Sequence, residues 1–375
     1  GDCGILWRSD NRDTPPGGDW LLRRATPDEV RRAISRGIPH DYAVPAGFID
    51  LEDELIPVDM DLRWIAGYEG GHVNIAGISG VAAKTSYGLF LMLGLLGANA
   101  RSERVRSEGG LAVVAFNVKE LDLLRIHQIE NWENPPRELE RHLRMWQRLR
   151  EQYQIDPNSL LTKIRYYAPG TTQRLHTLGQ REKTIPMRYG WSAMRQSENA
   201  AAIYALFDPD DLDDKMIAAL EAILNAPADT FHSLIDHISQ VLSKNNKEWI
   251  SLGGNTVHRA TLAKLLNRLK LIEEDLGGLL DAKEPAGEPL PVEQLEPGAA
   301  WILDITQLGN RARRYLFYLL LRRIGRLLQE RKAGLQERHT FPGRVIVIVD
   351  ELNRFAPGGS TRHPTRAEIA HLASQ

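Results

Sequence analysis

The chain has little cysteine: one residue, Cys3, among 375. A single thiol closes no internal disulfide and builds no cysteine-based metal cluster. Histidine offers no replacement, because His127, His142 and His176 show no metal-ligand spacing. Long apolar runs are also lacking. The longest, Gly88 to Ala98, falls well short of the roughly 18 residues that span a bilayer and reads as a buried helix. No secretory signal is visible. There is no excess of one charge: 47 Lys and Arg stand against 49 Asp and Glu, a net −2. No global field therefore draws the protein to nucleic acid, and any such contact must come from a local patch. These absences fit a cytoplasmic protein with no membrane association.

What is present is a sizeable apolar fraction, 42%, enough for one large domain or two. Short apolar runs of strand length recur between helical patterns. They are His72 to Ala76, Leu111 to Asn117, Leu160 to Ala168, Ala300 to Ile305 and Arg344 to Asp350. Continuous apolar strands alternating with helices predict an α/β fold with a mainly parallel sheet. Residues 1–66 read as the end of an N-terminal module, with a helix opened by Thr26-Pro27-Asp28-Glu29 and a strand near Glu54 to Val58. Residues 67–170 carry the first part of the α/β core, with a solvated connector at Arg101 to Glu108 and helix over much of 121–158. Residues 171–298 are expected to form a helical insertion. Its apolar stripes are Met216, Ile217, Leu220, Ile223, Leu224; Leu234, Ile235, Ile238, Val241, Leu242; and Leu262, Leu265, Leu266, Leu269, Ile272, Leu276. A Pro/Gly linker, Pro285 to Pro297, ends it, and residues 299–375 complete the core. The chain opens Gly1-Asp2-Cys3 and stops at Ala373-Ser374-Gln375 in a helical pattern, so it is expected to be a portion of a longer protein.

The most informative stretch is His72 to Met92. An apolar run breaks into Gly77-Ile78-Ser79-Gly80, and Ala83-Lys84-Thr85-Ser86 opens an apolar helix. Strand, glycine loop, Lys-Thr and helix is the layout of a phosphate-binding loop. Backbone N–H groups along Gly77, Ser79, Gly80, Val81, Ala82 and Ala83, with the helix N-terminus, would cradle phosphate. Lys84 would neutralise the terminal phosphates of ATP, and the hydroxyl of Thr85, followed by Ser86, would ligate Mg²⁺. The spacing departs from the usual G-x-x-x-x-G-K-[ST]: the glycines lie seven and four residues before Lys84, and Ala83 takes the place of the last glycine. The second motif is Val345-Ile346-Val347-Ile348-Val349-Asp350-Glu351. An apolar strand ending in Asp-Glu supplies what a phosphate loop needs: Asp350 to hold Mg²⁺ through water and Glu351 to polarise the attacking water.

The segments NIAGISGVAAKTSYGLFL, VAFNVKELDLL, WILDIT and VIVIVDELNRFAP, in this order, resemble the HerA/FtsK-type ATPases, and most of all bacterial HerA-like DNA-translocase ATPases. The resemblance covers roughly residues 60–130 and 295–375. It implies a RecA-like P-loop NTPase core working as a hexameric ring around double-stranded DNA, with a NurA-type or other nuclease partner in DNA-end processing or phage defence. It implies Gly77, Ser79, Gly80, Ala83, Lys84, Thr85 and Ser86 at phosphate and Mg²⁺, and Asp350 and Glu351 at metal and water. Asn117 departs from the pattern, standing where an acid is often found at a strand end. Arg354 and Arg366 are candidates for a trans-acting arginine, against the alternative of solvated surface residues.

Two further readings stay open. The unusual loop suits a nucleotide-binding regulatory or scaffold subunit with little turnover. A secretion or conjugation ATPase moving protein or single-stranded DNA is the other. One basic helix, with Arg311, Arg313, Arg314, Arg322, Arg323, Arg326, Arg331 and Lys332, followed by Arg338, offers a patch for DNA phosphates. The same pattern also fits a helix whose charges are solvated or paired.

Overall fold

The computed structural model describes residues 23–34, 37–51, 54–66, 71–76, 83–119, 121, 123–124, 140–177, 183–196, 199–335 and 340–355. At 83, 141, 142, 157, 209, 353 and 354 it describes the backbone alone. The chain divides into two compact units, each built from two segments: 1–111 with 125–163, and 112–124 with 164–375.

In the first unit, α1 (Pro27–Ile34) starts where Thr26-Pro27 predicts. Thr26 Oγ1 accepts from Glu29 N at 3.4 Å, and Glu29 Oε2 accepts from Thr26 N at 2.9 Å, a reciprocal capping box. An antiparallel hairpin follows, β1 (Ala43–Leu51) and β2 (Glu54–Asp61), running from the Ala43–Asp61 pair to Leu51–Glu54 with a register shift at Pro45/Gly47. Then come α2 (Leu62–Ile65), α3 (Ala83–Arg101), α4 (Glu103–Ser107), α5 (Glu140–Tyr153) and α6 (Pro157–Leu161). The apolar run Gly88 to Ala98 is the buried body of α3, as expected, with Met92 and Ala98 fully inaccessible. Two glycines let α3 approach its neighbours. A Cβ on Gly97 would come within 2.4 Å of Ile155 Cγ1, and one on Gly94 within 3.2 Å of Val44 Cγ1. Tyr87 Oη donates to Ala46 O at 2.9 Å and ties the first turns of α3 to β1.

The second unit holds a seven-stranded, mostly parallel sheet in the order β11-β3-β10-β4-β5-β8, with β9 antiparallel on β5. Its strands are β3 (Leu111–Asn117), β4 (Ile164–Pro169), β5 (Thr184–Gly190), β8 (Leu280–Asp281), β9 (Gly287–Glu288), β10 (Ala300–Asp304) and β11 (Arg344–Val349). A separate hairpin pairs β6 (Trp249–Leu252) with β7 (Asn255–His258). The helices are α7 (Trp191–Met194), α8 (Asp214–Leu224), α9 (Phe231–Lys244), α10 (Arg259–Asp275), α11 (Asn310–Lys332) and α12 (Leu352–Phe355). Every residue of β3 is at most 0% exposed, the condition of an inner strand covered on both faces. Helices flank the sheet, and the α/β architecture is consistent with the RecA-like core expected from the sequence. The three helical stripes of residues 171–298 pack as drawn from the sequence, with Leu220, Leu234 and Leu262 fully buried in one core with the sheet. Among the described residues, no helix is long and apolar enough to cross a membrane.

Several expectations are corrected. Residues 71–76 form no strand, and Val73 is 44% exposed. Two alternating apolar residues are too short a signal to guarantee pairing. Leu160 and Leu161 end α6, so the strand begins only at Ile164. The supposed connector Arg101 to Glu108 contains α4, whose Ser102 side chain accepts from Val105 N at 3.1 Å. Pro285 to Pro297 is no solvated linker: Leu290, Val292 and Leu295 are buried, and Gly287 pairs with Tyr189. Leu139 and the Pro135-Pro136 helix start lie outside the described residues.

Candidate nucleotide site

Within the first unit, the start of α3 carries the candidate phosphate-binding residues. Lys84, Thr85 and Ser86 occupy its first turn, which holds no acidic residue. Lys84 and Thr85 are half-buried and Ser86 is exposed. A cation and two hydroxyls at a helix N-terminus, where backbone N–H groups lack intrahelical partners, form an anion-favouring end. Gly77, Ser79, Gly80, Val81 and Ala82 lie outside the described residues, and Ala83 is described by backbone alone.

Within the second unit, the carboxyl ends of three adjacent strands, β11, β3 and β10, lie side by side. In sheets of this kind ligands gather outside those ends. Asp350 and Glu351 follow β11 directly. Glu351 takes a left-handed backbone, φ +55°. A non-glycine residue there costs about 1–2 kcal/mol, and such residues persist where their surroundings over-determine them. Those surroundings include Phe355 in α12, fully buried, with its ring 4.6 Å from Phe317 of α11 and 5.7 Å from Phe116 of β3. The Glu351 carboxylate forms an ion pair with Lys119, two residues beyond β3.

Asn117 and Asp304 close the ends of β3 and β10, both buried. Asn117 Nδ2 donates to Asp304 Oδ1 at 3.1 Å, while Asn117 Oδ1 accepts from Leu123 N at 3.3 Å. Thr306 Oγ1 donates to the same Asp304 oxygen at 2.7 Å, and Thr177 donates to the other. The amide at Asn117 thus accounts for the departure noted in the sequence: an ionised carboxylate could not donate to Asp304. Sequence reasoning missed Lys119, Asp304, Thr177 and Thr306 as part of this edge. The run WILD carried the same signal as VIVD, an apolar strand ending in an acid.

The basic helix α11 is largely engaged inside its own unit. Arg314 donates to Asp208 at 2.8 Å, and Arg311 reaches Asp275 at 2.5 Å and Asp208 at 3.3 Å. Arg313 donates to the carbonyls of Ile305 and Thr306 at 3.1 and 2.6 Å. Arg323 pairs with Glu293, Arg326 with Glu330, and Arg331 donates to Phe341 O at 2.7 Å. Burial alone would raise the Asp208 carboxyl, but the hydrogen bond and charge of Arg314, with Arg311, outweigh it and hold the group below the ordinary carboxylate range. Arg338 and Arg366 lie outside the described residues, as does the side chain of Arg354.

Among the described residues, no group of three or more His, Cys, Asp or Glu is placed to hold a metal ion. In the second unit Asp350 offers a hard oxygen donor at the end of β11, and Mg²⁺ is commonly held by one or two carboxylates together with substrate phosphates. The donor chemistry therefore fits Mg²⁺ arriving with a nucleotide better than a dedicated metal cage. No protein-family model matches the chain, and no curated protein matches it significantly.

Proposed function

We propose that this chain carries the ATPase core of a HerA-like double-stranded DNA translocase, working in the cytoplasm as a ring, with six subunits and a nuclease partner in DNA-end processing or phage defence. The observation that carries the reading is the Asp350-Glu351 pair at the carboxyl end of β11, beside β3 in a mostly parallel sheet. In this reading the residues at the head of α3 bind phosphate. Lys84 would place a positive charge at the terminal phosphates, Thr85 would ligate Mg²⁺, and Asp350 would hold it through water. Bound Mg²⁺ would supply neutralisation of the developing phosphate charge. Glu351 accepts a hydrogen bond from the attacking water and then its proton.

The test is ATP hydrolysis by the full-length protein with and without duplex DNA. DNA should raise the rate. Lys84→Ala and Glu351→Gln should each lower kcat by about 100-fold or more, the usual worth of a charge or base acting in the transition state. Unstimulated turnover, together with no ring in electron micrographs, would overturn the motor.

A second reading has one observation in its favour. The Lys119–Glu351 pair engages the carboxylate that hydrolysis needs, which suits a nucleotide-binding regulatory or scaffold subunit. Tight ATP binding with negligible turnover in the complete complex would select it.

A further inference from the structure

We infer that Lys119 is a positioning residue for Glu351, a restraint that holds the carboxylate until nucleotide and DNA are engaged. The inference rests on the ATPase reading above and adds regulation to the same site.

Three observations in the second unit carry it. Lys119 and Glu351 lie just past the ends of neighbouring strands, β3 and β11, so their pair bridges the sheet's carboxyl edge. Lys119 lies between two hydrogen-bonded points of the chain: the Asn117 side chain accepts from Leu123 N at 3.3 Å, and Leu124 N donates to Leu121 O at 3.0 Å. Glu351 sits in an uncommon left-handed conformation, a local strain of the kind that marks ligand clamps and switch regions.

A carboxylate oxygen that accepts from an ammonium is occupied, and its side-chain torsions are restrained. The carboxylate is thereby oriented toward Lys119 and is not free to turn toward an attacking water. The pair is also not deeply buried: the Lys119 and Glu351 side chains are 42% and 24% exposed. Half-solvated pairs are weak, so a modest differential interaction is enough to release one. A strong pair here would abolish turnover, whereas a weak one sets a threshold. A positive phosphate ligand such as Lys84 has no reason to pair with the base, so the two lysines have opposite expected phenotypes.

The experiment is steady-state ATP hydrolysis by full-length protein carrying Lys119→Met, Lys119→Gln or Lys119→Arg, with and without duplex DNA. Methionine and glutamine keep the length of the stem but lose the ammonium. Both should raise the DNA-free kcat by about 5-fold, the factor that roughly 1 kcal/mol converts to. KM for ATP should be unchanged and the stimulation by DNA correspondingly smaller. Arginine should restore the wild-type ratio. A merely structural lysine would not split kcat from KM in this direction. If wild-type hydrolyses ATP and neither neutral variant exceeds its DNA-free kcat, the restraint is wrong and the ATPase reading stands. If wild-type and all three variants show no turnover that Lys84→Ala removes, both are wrong.

Discussion

Asn117 shows how one side-chain atom decides which residue a strand end tolerates. Its amide must donate to Asp304 and its carbonyl must accept from Leu123, a division that only an amide provides. Asn117→Asp would set two carboxylates about 3 Å apart in a fully buried position. We expect a loss of about 2–4 kcal/mol of stability, read as a lower urea midpoint at neutral pH and partly recovered in mild acid. An unchanged midpoint would show that the Asp304 cluster bears no load. The site was only partly legible in the sequence at this scale. Asp350 and Glu351 stand out because an apolar run ends in two acids. Lys119 does not, since nothing in VAFNVKE announces which strand lies beside β3. The handedness of Glu351 is equally hidden, because Glu is an ordinary residue and its φ is set by what surrounds it.

Among elements, β3, β10 and β11 fall where expected, and for β3 and β10 burial along the whole strand leaves a compositional trace. Elements with mixed faces were missed. β5 alternates buried Met187 and Tyr189 with half-exposed neighbours and so lacks that trace. The β6–β7 hairpin carried a usable signal, Gly253-Gly254 between two four-residue strands, both glycines at positive φ. In α11, Arg311 and Arg323 pair with Asp208, Asp275 and Glu293, acids from distant segments that no local pattern connects to the helix. The cap of α1 yields a prediction with a definite sign. The hydrogen bond from Arg23, then that from Thr26 N, holds the Glu29 carboxyl down to about 2 against an ordinary 4.5. A depressed folded value means that the stabilisation is complete above the unfolded value and fades as pH falls from there through about 2. Backbone amides of α1 should lose protection over that range in wild-type protein. Glu29→Gln should show no such step, and an identical step in that variant would refute the assignment.

For the molecule as a whole, each unit is drawn from two stretches of chain, so the polypeptide does not complete one body before beginning the next. The consequence falls on biosynthesis. β3 is the most deeply enclosed strand described, yet its partner β10 is encoded far downstream: Asn117 and Asp304 are 187 residues apart. At a synthesis rate of about 5–20 residues per second, an emerging β3 waits roughly 10–40 s for the strand that covers it. During that interval LAVVAFN is an apolar, uncharged, proline-free segment with unsatisfied edges, the profile of an aggregation hazard. A nascent chain arrested at residue 298, before β10, should therefore associate with a holdase chaperone and pellet when released, whereas the 375-residue chain should not. Equal solubility of the two would mean that β3 finds temporary cover elsewhere. The distance between two strands in the sequence thus becomes a period of vulnerability at the ribosome.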